Sequence, residues 1–300
     1  MNDDAGFIDP PELLREVADE LGSSHDRIPP VRRVSVAIEG RGELSALRWG
    51  DDDPELVFLH GGGQNAHTWD LVAMQLGRPA LAVDLPGHGH SYWREDKNYW
   101  PRENALAVAT AIQQLASTAR CVIGMSLGGL TTIRLAATRP DLVPRAVVVD
   151  VTPGVMAHHV ARTAEQRGTT ALIQGPRTFG SRDDMIAEAV RASPRRPASA
   201  TRRGVIHNSR QLPDGRWTWR YDLGDGAEDF TTLWTDLESV AAPTMLVRGG
   251  ESAFVPERDA FEFARRKPDA RLEVVAGAGH SVQSDQPVAL AGLIADFIGR

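Results

Sequence analysis

Val122-Ile123-Gly124-Met125-Ser126-Leu127-Gly128-Gly129-Leu130 is the stretch whose reading decides the fold. The apolar run from Arg120 to Ile123 predicts a short buried strand, and Leu130 to Thr138 carries helical spacing. Between them lies a Gly-x-Ser-x-Gly turn, with glycines two positions either side of Ser126 so that the backbone can pass closely. A serine in this position sits at the apex of a strand-to-helix turn, strained, and at the positive end of a helix.

Outward from this turn the chain alternates strands with helices. Arg33 to Ile38 and Glu43 to Trp49 alternate like two antiparallel strands joined through Glu39-Gly40-Arg41-Gly42. Glu55 to Leu59, Pro79 to Val83 and Arg145 to Val149 are dense apolar strands, and Ala105 to Leu115 has helical spacing. Strands that are apolar throughout, separated by helices, imply a mostly parallel sheet covered on both faces. From about 154 to 240 the rhythm stops and the chain becomes polar, arginine-rich and tryptophan-containing. It resumes with a strand at Pro243 to Arg248, a helix at Glu257 to Arg265, a strand at Arg271 to Val275 and a helix at Val288 to Ile298. The expected organisation is a helical extension over 1–30, one core built from 31–153 and 241–300, and a helical cap over 154–240 inserted late in the core. In the extension, Pro10 and Pro11 start a helix, Leu13, Leu14, Val17 and Leu21 form its apolar face, and Gly22 stops it.

Composition narrows the function. A net charge of −7 over 300 residues argues against a nucleic-acid partner. The single cysteine, Cys121, excludes an internal disulfide and reads as a buried apolar residue of the strand before Ser126. No apolar stretch approaches the length of a membrane span, and the acidic opening MNDDAGFIDPPELLREV lacks the layout of a signal peptide, so the expectation is a cytoplasmic protein. Oligomeric state is not legible.

In an open sheet of this kind, ligands bind at the carboxyl ends of the strands. His60-Gly61-Gly62-Gly63, Asp84-Leu85-Pro86-Gly87-His88-Gly89-His90-Ser91, Ser126, Asp150, Gly249-Gly250-Glu251-Ser252 and Gly277-Ala278-Gly279-His280 all fall at such ends. Together, and in this order, they resemble the α/β-hydrolase superfamily across 31–153 and 241–300. The resemblance implies a core sheet of about eight strands with a variable cap between. It also implies a Ser-acid-His set acting on a small-molecule substrate without a metal or organic cofactor. Ser126 is then the nucleophile, which needs an adjacent base, and His280 is the imidazole that titrates near the working pH. The oxyanion donors are the backbone N–H groups of Leu127 and, by the family pattern, Gly62. None of His88, His90, His158, His159 and His207 has metal-ligand spacing.

The acid departs from the commoner family pattern, because the turn after Met245–Arg248 contains no aspartate. Asp150, ending the strand next to that of Ser126, is the preferred candidate and Glu251 the alternative. This resembles an esterase branch in which the acid has moved to that strand, with a VDVTP-like or VDIAP-like strand end and a GGxS turn at the usual site; Ser252 is placed to hydrogen-bond the histidine or Asp150. Asp84 reads as a pin for its own turn. Gly61, Trp69, Met125, Trp217, Trp219 and Ser252 are candidate pocket residues. Trp217 and Trp219 share one side of a short alternating strand that packs on the core or roofs the pocket. The basic run Arg191, Arg195, Arg196, Arg202 and Arg203 reads as a solvated face, with binding of an anionic substrate as the alternative. The function these residues imply is hydrolysis of a small or medium carboxylic ester through an acyl-enzyme. A lactone, a carbon–carbon bond of a diketone, or a non-catalytic ligand-receptor role on the same fold are the alternatives.

Overall fold

The computed structural model describes residues 11–20, 22, 28–156, 172–173, 177–222, 224 and 230–299. Pro10, Leu21, His158 and His159 lie outside them. Eight strands form one sheet: β1 (Val31–Ile38), β2 (Gly42–Trp49), β3 (Leu56–Leu59), β4 (Ala80–Val83), β5 (Cys121–Met125), β6 (Ala146–Val149), β10 (Thr244–Gly249) and β11 (Arg271–Val275). Their spatial order is β1-β2-β4-β3-β5-β6-β10-β11. The β1–β2 and β2–β4 pairs are antiparallel, and the remaining five are parallel. The short strands β3 to β6 are buried at every position, as two-sided coverage requires.

One face of the sheet packs Phe58, Ile123, Val147 and Val247 against α1 (Pro11–Glu20), α2 (Asp70–Leu76) and the C-terminal helix Pro287–Ile298. The other packs Val57, Leu81 and Val122 against α3 (Pro101–Leu115), with α4 (Leu127–Thr138) alongside. Leu14, Val17 and Ala18 bury the apolar face of α1, and Gly22 follows that helix with φ of 63°. Both α3 and α4 begin earlier than their apolar spacing indicates. Pro101 occupies the first turn of α3, where its missing N–H costs nothing, and α4 starts immediately at Leu127.

Between β6 and β10 the chain is not purely helical, contrary to expectation. Besides α5 (Arg182–Ala192) and α6 (Ala198–His207) it forms an antiparallel sheet ordered β7 (Thr178–Phe179), β9 (Trp217–Trp219), β8 (Ser209–Gln211). Strands of two or three residues are too short to show a period of two, which is why only the Trp217–Trp219 alternation was readable. The helix α7 (Leu233–Ser239), inside the range expected for the cap, buries Leu233 and Leu237 against Leu130 and Ile133 of α4 and so packs with the core. No described helix is long and apolar enough to cross a membrane.

Candidate active site

β5 and β6 pair in parallel with Met125 beside Val149, so Ser126 and Asp150 leave the sheet at the same level. β10 flanks β6 with Val247 beside Val149, and β11 flanks β10 with Val275 beside Gly249. The loops after four adjacent strands therefore meet above one edge. Ser126 adopts φ 50° and ψ −115°, a backbone conformation rare outside glycine. It is held by its N–H donating to Val149 O and its carbonyl accepting from Leu130 N–H, both at 3.0 Å. Its neighbours must lack side chains. A Cβ on Gly124 would lie 2.1 Å from Gly128 O, and one on Gly128 would lie 2.2 Å from Leu59 O.

His280, on the loop after β11, bridges the other two groups. Its Nε2 is 3.1 Å from Ser126 Oγ, and its Nδ1 is 2.8 Å from Asp150 Oδ2. The carboxylate can only accept, so Nδ1 carries the proton and Nε2 is left to accept from the serine hydroxyl. Asp150 is fully buried and also sits at positive φ, 51°. Gly249 N–H donates to its Oδ1 at 2.8 Å and Ser252 Oγ–H to its Oδ2 at 2.5 Å. Three donors thus converge on one carboxylate. Glu251 points elsewhere, onto Arg195 at 2.9 Å, and is half exposed. The imidazole of His280 also stacks on Phe254, ring centroids 3.5 Å apart and 12° from parallel. Phe254 carries no sequence signal of this role, since its position over the imidazole depends on two loops that only the tertiary fold joins.

The glycine loop after β3 runs beside Ser126. A Cβ on Gly61 would lie 2.6 Å from Met125 Sδ and 3.2 Å from Ser126 Cβ. Gly61 N–H is taken by Gln64 Oε1 at 3.0 Å and Gly63 N–H by His88 Nε2 at 3.0 Å. Among the described residues the N–H groups of Gly62 and Leu127 have no protein acceptor. Leu127 opens α4, so its N–H adds the positive helix end to this corner.

Two buried histidines hold this loop, a role the sequence reading did not give them. His60 Nε2 accepts Leu85 N–H at 2.9 Å while its Nδ1–H donates to Gly61 O at 2.8 Å. Burial, then the neighbouring His88, push its pKa down to about 3. Burial likewise lowers that of His88, which donates from Nδ1 to Pro86 O. Asp84 pins its turn as expected, accepting from Ala66 N–H, His90 N–H and the Arg33 guanidinium at 2.8–3.0 Å. Its burial opposes ionisation, but Arg33 and the two N–H donors outweigh it and hold the carboxyl below its ordinary range.

A cavity of about 150 Å³ begins at Gly62 and Gly63 and extends between the core and the inserted segment, past Trp219, Tyr221 and Ile173 towards Leu71. Of the proposed pocket side chains only Trp219 lines it. Trp69 is fully buried and stacks on Phe58 with centroids 4.9 Å apart, because its ring completes the core under α2. Met125 likewise packs into the core, its sulfur against Gly61. Trp217 turns away under the Arg182 guanidinium, 4.0 Å from its ring centre. Ser252 stands behind Asp150, and Gly61 contributes its backbone to the wall beside Ser126 instead of the cavity. The cavity also touches Arg196 and Arg203, so part of the basic run is not a solvated face. Arg203 is buried on Asp70. Burial raises the Asp70 carboxyl, but Arg203 and His67 overcome this and bring its pKa down to about 2.

The sequence model of the Alpha/beta hydrolase family matches residues 56–293. The chain belongs to the alpha/beta hydrolase family. As a member of it, this hydrolase is 51% identical over 294 residues to Esterase Rv0045c of Mycobacterium tuberculosis, covering 98% of this chain and 97% of the relative. It is 29% identical to the sn-1-specific diacylglycerol lipase ABHD11 of Mus musculus over 82% of this chain and 81% of that one. A solved structure of the M. tuberculosis esterase superposes with a TM-score of 0.85 at 51% identity, covering 96% of this hydrolase and 98% of that chain. A crystal structure of E-2-(acetamidomethylene)succinate hydrolase gives a TM-score of 0.75 at 25% identity, with 89% and 99% covered.

Proposed function

We propose that this alpha/beta hydrolase is a serine esterase that cleaves a small or medium carboxylic ester through an acyl-enzyme. The observation that carries this reading is the continuous chain from Ser126 Oγ to His280 Nε2 at 3.1 Å and from His280 Nδ1 to Asp150 at 2.8 Å. Similarity to an esterase across nearly the whole chain supports the choice of an ester as substrate.

In this mechanism Ser126 Oγ attacks the ester carbonyl carbon while its proton passes to His280 Nε2. The resulting oxyanion accepts hydrogen bonds from Leu127 N–H and Gly62 N–H, each worth about 3 kcal/mol of barrier. Asp150 keeps the proton on Nδ1 and stabilises the imidazolium. Collapse of the intermediate breaks the bond to the alcohol, which leaves with the proton from Nε2. A water, deprotonated by His280, then attacks the acyl-serine, and the carboxylic acid departs as Ser126 recovers its proton. The segment from β6 to α7 serves as a cap over the acyl or alcohol moiety. This role is supported by Asn208 Nδ2, which donates to Gly63 O at 2.7 Å, and by Asn65 Nδ2, which donates to His207 O at 3.0 Å across the same seam.

The test is turnover of a short p-nitrophenyl ester by the wild type and by Ser126→Ala. Ser126→Ala is expected to lower kcat by about 10⁴-fold or more and to abolish covalent labelling by a fluorophosphonate. Undiminished turnover in Ser126→Ala would refute the proposal.

A further inference from the structure

The loop bearing His280 is not held by its own strand alone. Asp285, at the end of the single-turn helix Val282–Asp285, accepts Gly279 N–H on Oδ2 at 2.9 Å, immediately before the histidine. Its backbone N–H donates to Ser281 O, immediately after the histidine. Gly279 in turn lies hard against β10, since a Cβ on Gly249 would fall 2.3 Å from Gly279 O. Gly249 is the residue whose N–H donates to Asp150. One residue, through its carboxylate and its backbone N–H, therefore closes a ring around His280, and that ring abuts the backbone that holds Asp150.

The other oxygen of Asp285 is claimed from outside the loop. Arg196, in the connection between α5 and α6 of the inserted segment, donates from Nε to Asp285 Oδ1 at 2.7 Å. Its neighbour Arg195 reaches Glu251 in the turn after β10, at 2.9 Å. The two pairs differ in weight. Arg195 and Glu251 are 39% and 51% exposed, and an ion pair that open to water contributes little. Arg196 and Asp285 are 14% and 6% exposed, so removing one partner leaves a charge short of its counter-ion inside the protein. Arg196 also lines the cavity that starts at Gly62.

We propose that Arg196 and Asp285 are positioning residues through which the inserted segment sets the placement of His280. The proposal rests on the reading of His280 as the general base. Asp285 orders Gly279 and His280 from the core side, and Arg196 orients Asp285 only when the inserted segment is docked. Docking of that segment and readiness of the base are thus one event, and a substrate occupying the cavity bears on both. Neither residue touches the reacting atoms.

The experiment compares wild type, Arg196→Lys, Arg196→Gln, Asp285→Asn and the Arg196→Gln/Asp285→Asn double variant. Its readouts are kcat and KM on a short p-nitrophenyl ester and amide hydrogen exchange across 277–285. Because a misplacement of ångström size at a catalytic group costs about a hundredfold, Arg196→Gln and Asp285→Asn are expected to lower kcat by about ten- to a hundredfold with KM nearly unchanged. The double variant is expected to be no worse than Asp285→Asn, since the two act as one unit. Arg196→Lys keeps the charge and restores most of kcat. Exchange is expected to rise at Gly279 and His280 in Arg196→Gln while the central strands stay protected. A rise in KM at constant kcat would overturn the proposal by making Arg196 a substrate contact, and uniformly faster exchange over the sheet would overturn it by making the pair a stability element. The exchange arm separates this idea from the assignment of function. Local loosening in a wild-type-like fold that turns over no ester would support the clamp and sink the esterase.

Discussion

Asp150 carries its carboxylate from a backbone with φ of 51°, and Ser126 carries its hydroxyl from one with φ of 50°. Neither residue is a glycine, so both sites hold strain that the surrounding sheet must offset. Asp150 is the residue on which the alternatives separate most sharply. Asp150→Asn keeps the shape but presents an amide to His280 Nδ1, favouring the wrong tautomer, and is expected to lower kcat by about 10⁴-fold. Glu251→Gln, on a side chain paired with Arg195 at the surface, is expected to leave turnover nearly intact. Steady-state kinetics of the two variants decide between them, and the opposite ranking would reassign the acid. Ser252→Ala removes a charge-assisted donor to Asp150 and is expected to lower kcat by about tenfold, the rate equivalent of roughly 1.4 kcal/mol. The sequence pointed to Asp150 as the preferred acid, with Glu251 as the alternative, through its strand, the missing aspartate after β10 and the resemblance to an esterase branch. It carried no sign of Phe254 or Asp285, because an aromatic face and a loop carboxylate acquire meaning only from what packs on them.

At the scale of elements, the β5–α4 turn exists because three backbones pass where a methyl group cannot. Gly124→Ala and Gly128→Ala put a Cβ within 2.1 and 2.2 Å of backbone oxygens that have nowhere to go. Each is expected to cost more than about 3 kcal/mol of stability and to give little soluble protein, as read by thermal melting and expression. Gly62→Ala is the contrasting case. No heavy atom lies within 4 Å of a Cβ placed there, so its melting temperature is expected to match wild type while a fall in kcat would support the proposed oxyanion role of this loop. A large loss of stability in Gly62→Ala would contradict this division. In the core, element identity was legible wherever a strand was apolar throughout or a helix ran for three turns, whereas α5 and α6 of the inserted segment, rich in charged residues, were not individually legible. The apolar spacing of α4 begins only at Leu130, three residues after the helix opens at Leu127, since that start is set by the turn geometry and not by hydrophobicity.

For the whole molecule, the titration of buried groups gives stability a direction with pH. His60 is ordinarily half-protonated near 6.5 but falls to about 3 in the fold. Between those values the unfolded chain binds a proton that the folded chain refuses, so stability drops as pH falls, by up to about 1.4 kcal/mol per pH unit for each such group. His90, lowered to about 4 mainly by burial, acts in the same sense. Asp70, held at about 2 against its burial by Arg203 and His67, adds a further loss below about pH 4. The melting temperature is therefore expected to be level between about pH 7 and 8, below the range in which the unfolded Cys121 thiol ionises, and to decline from about 6.5 downwards. His60→Gln, whose amide can still accept from Leu85 N–H and donate to Gly61 O, is expected to flatten that decline. A melting temperature that climbs on acidification from 6.5 to 4.5 would contradict the argument.

What the sequence indicated by itself is the class of sheet and the succession of its apolar strands along the chain, because strand periodicity and turn chemistry are local; the resemblance to the α/β-hydrolases added Ser126, His280 and Asp150 as candidates, with Glu251 as the alternative acid. What only the tertiary structure decided is which side chains face the cavity, where the segment after β6 joins the core, and how Arg196 reaches the His280 loop. Those outcomes depend on contacts between residues roughly 90 to 150 positions apart. A partner at that distance leaves no trace in the local pattern of either residue, since burial and orientation are properties of the packed whole.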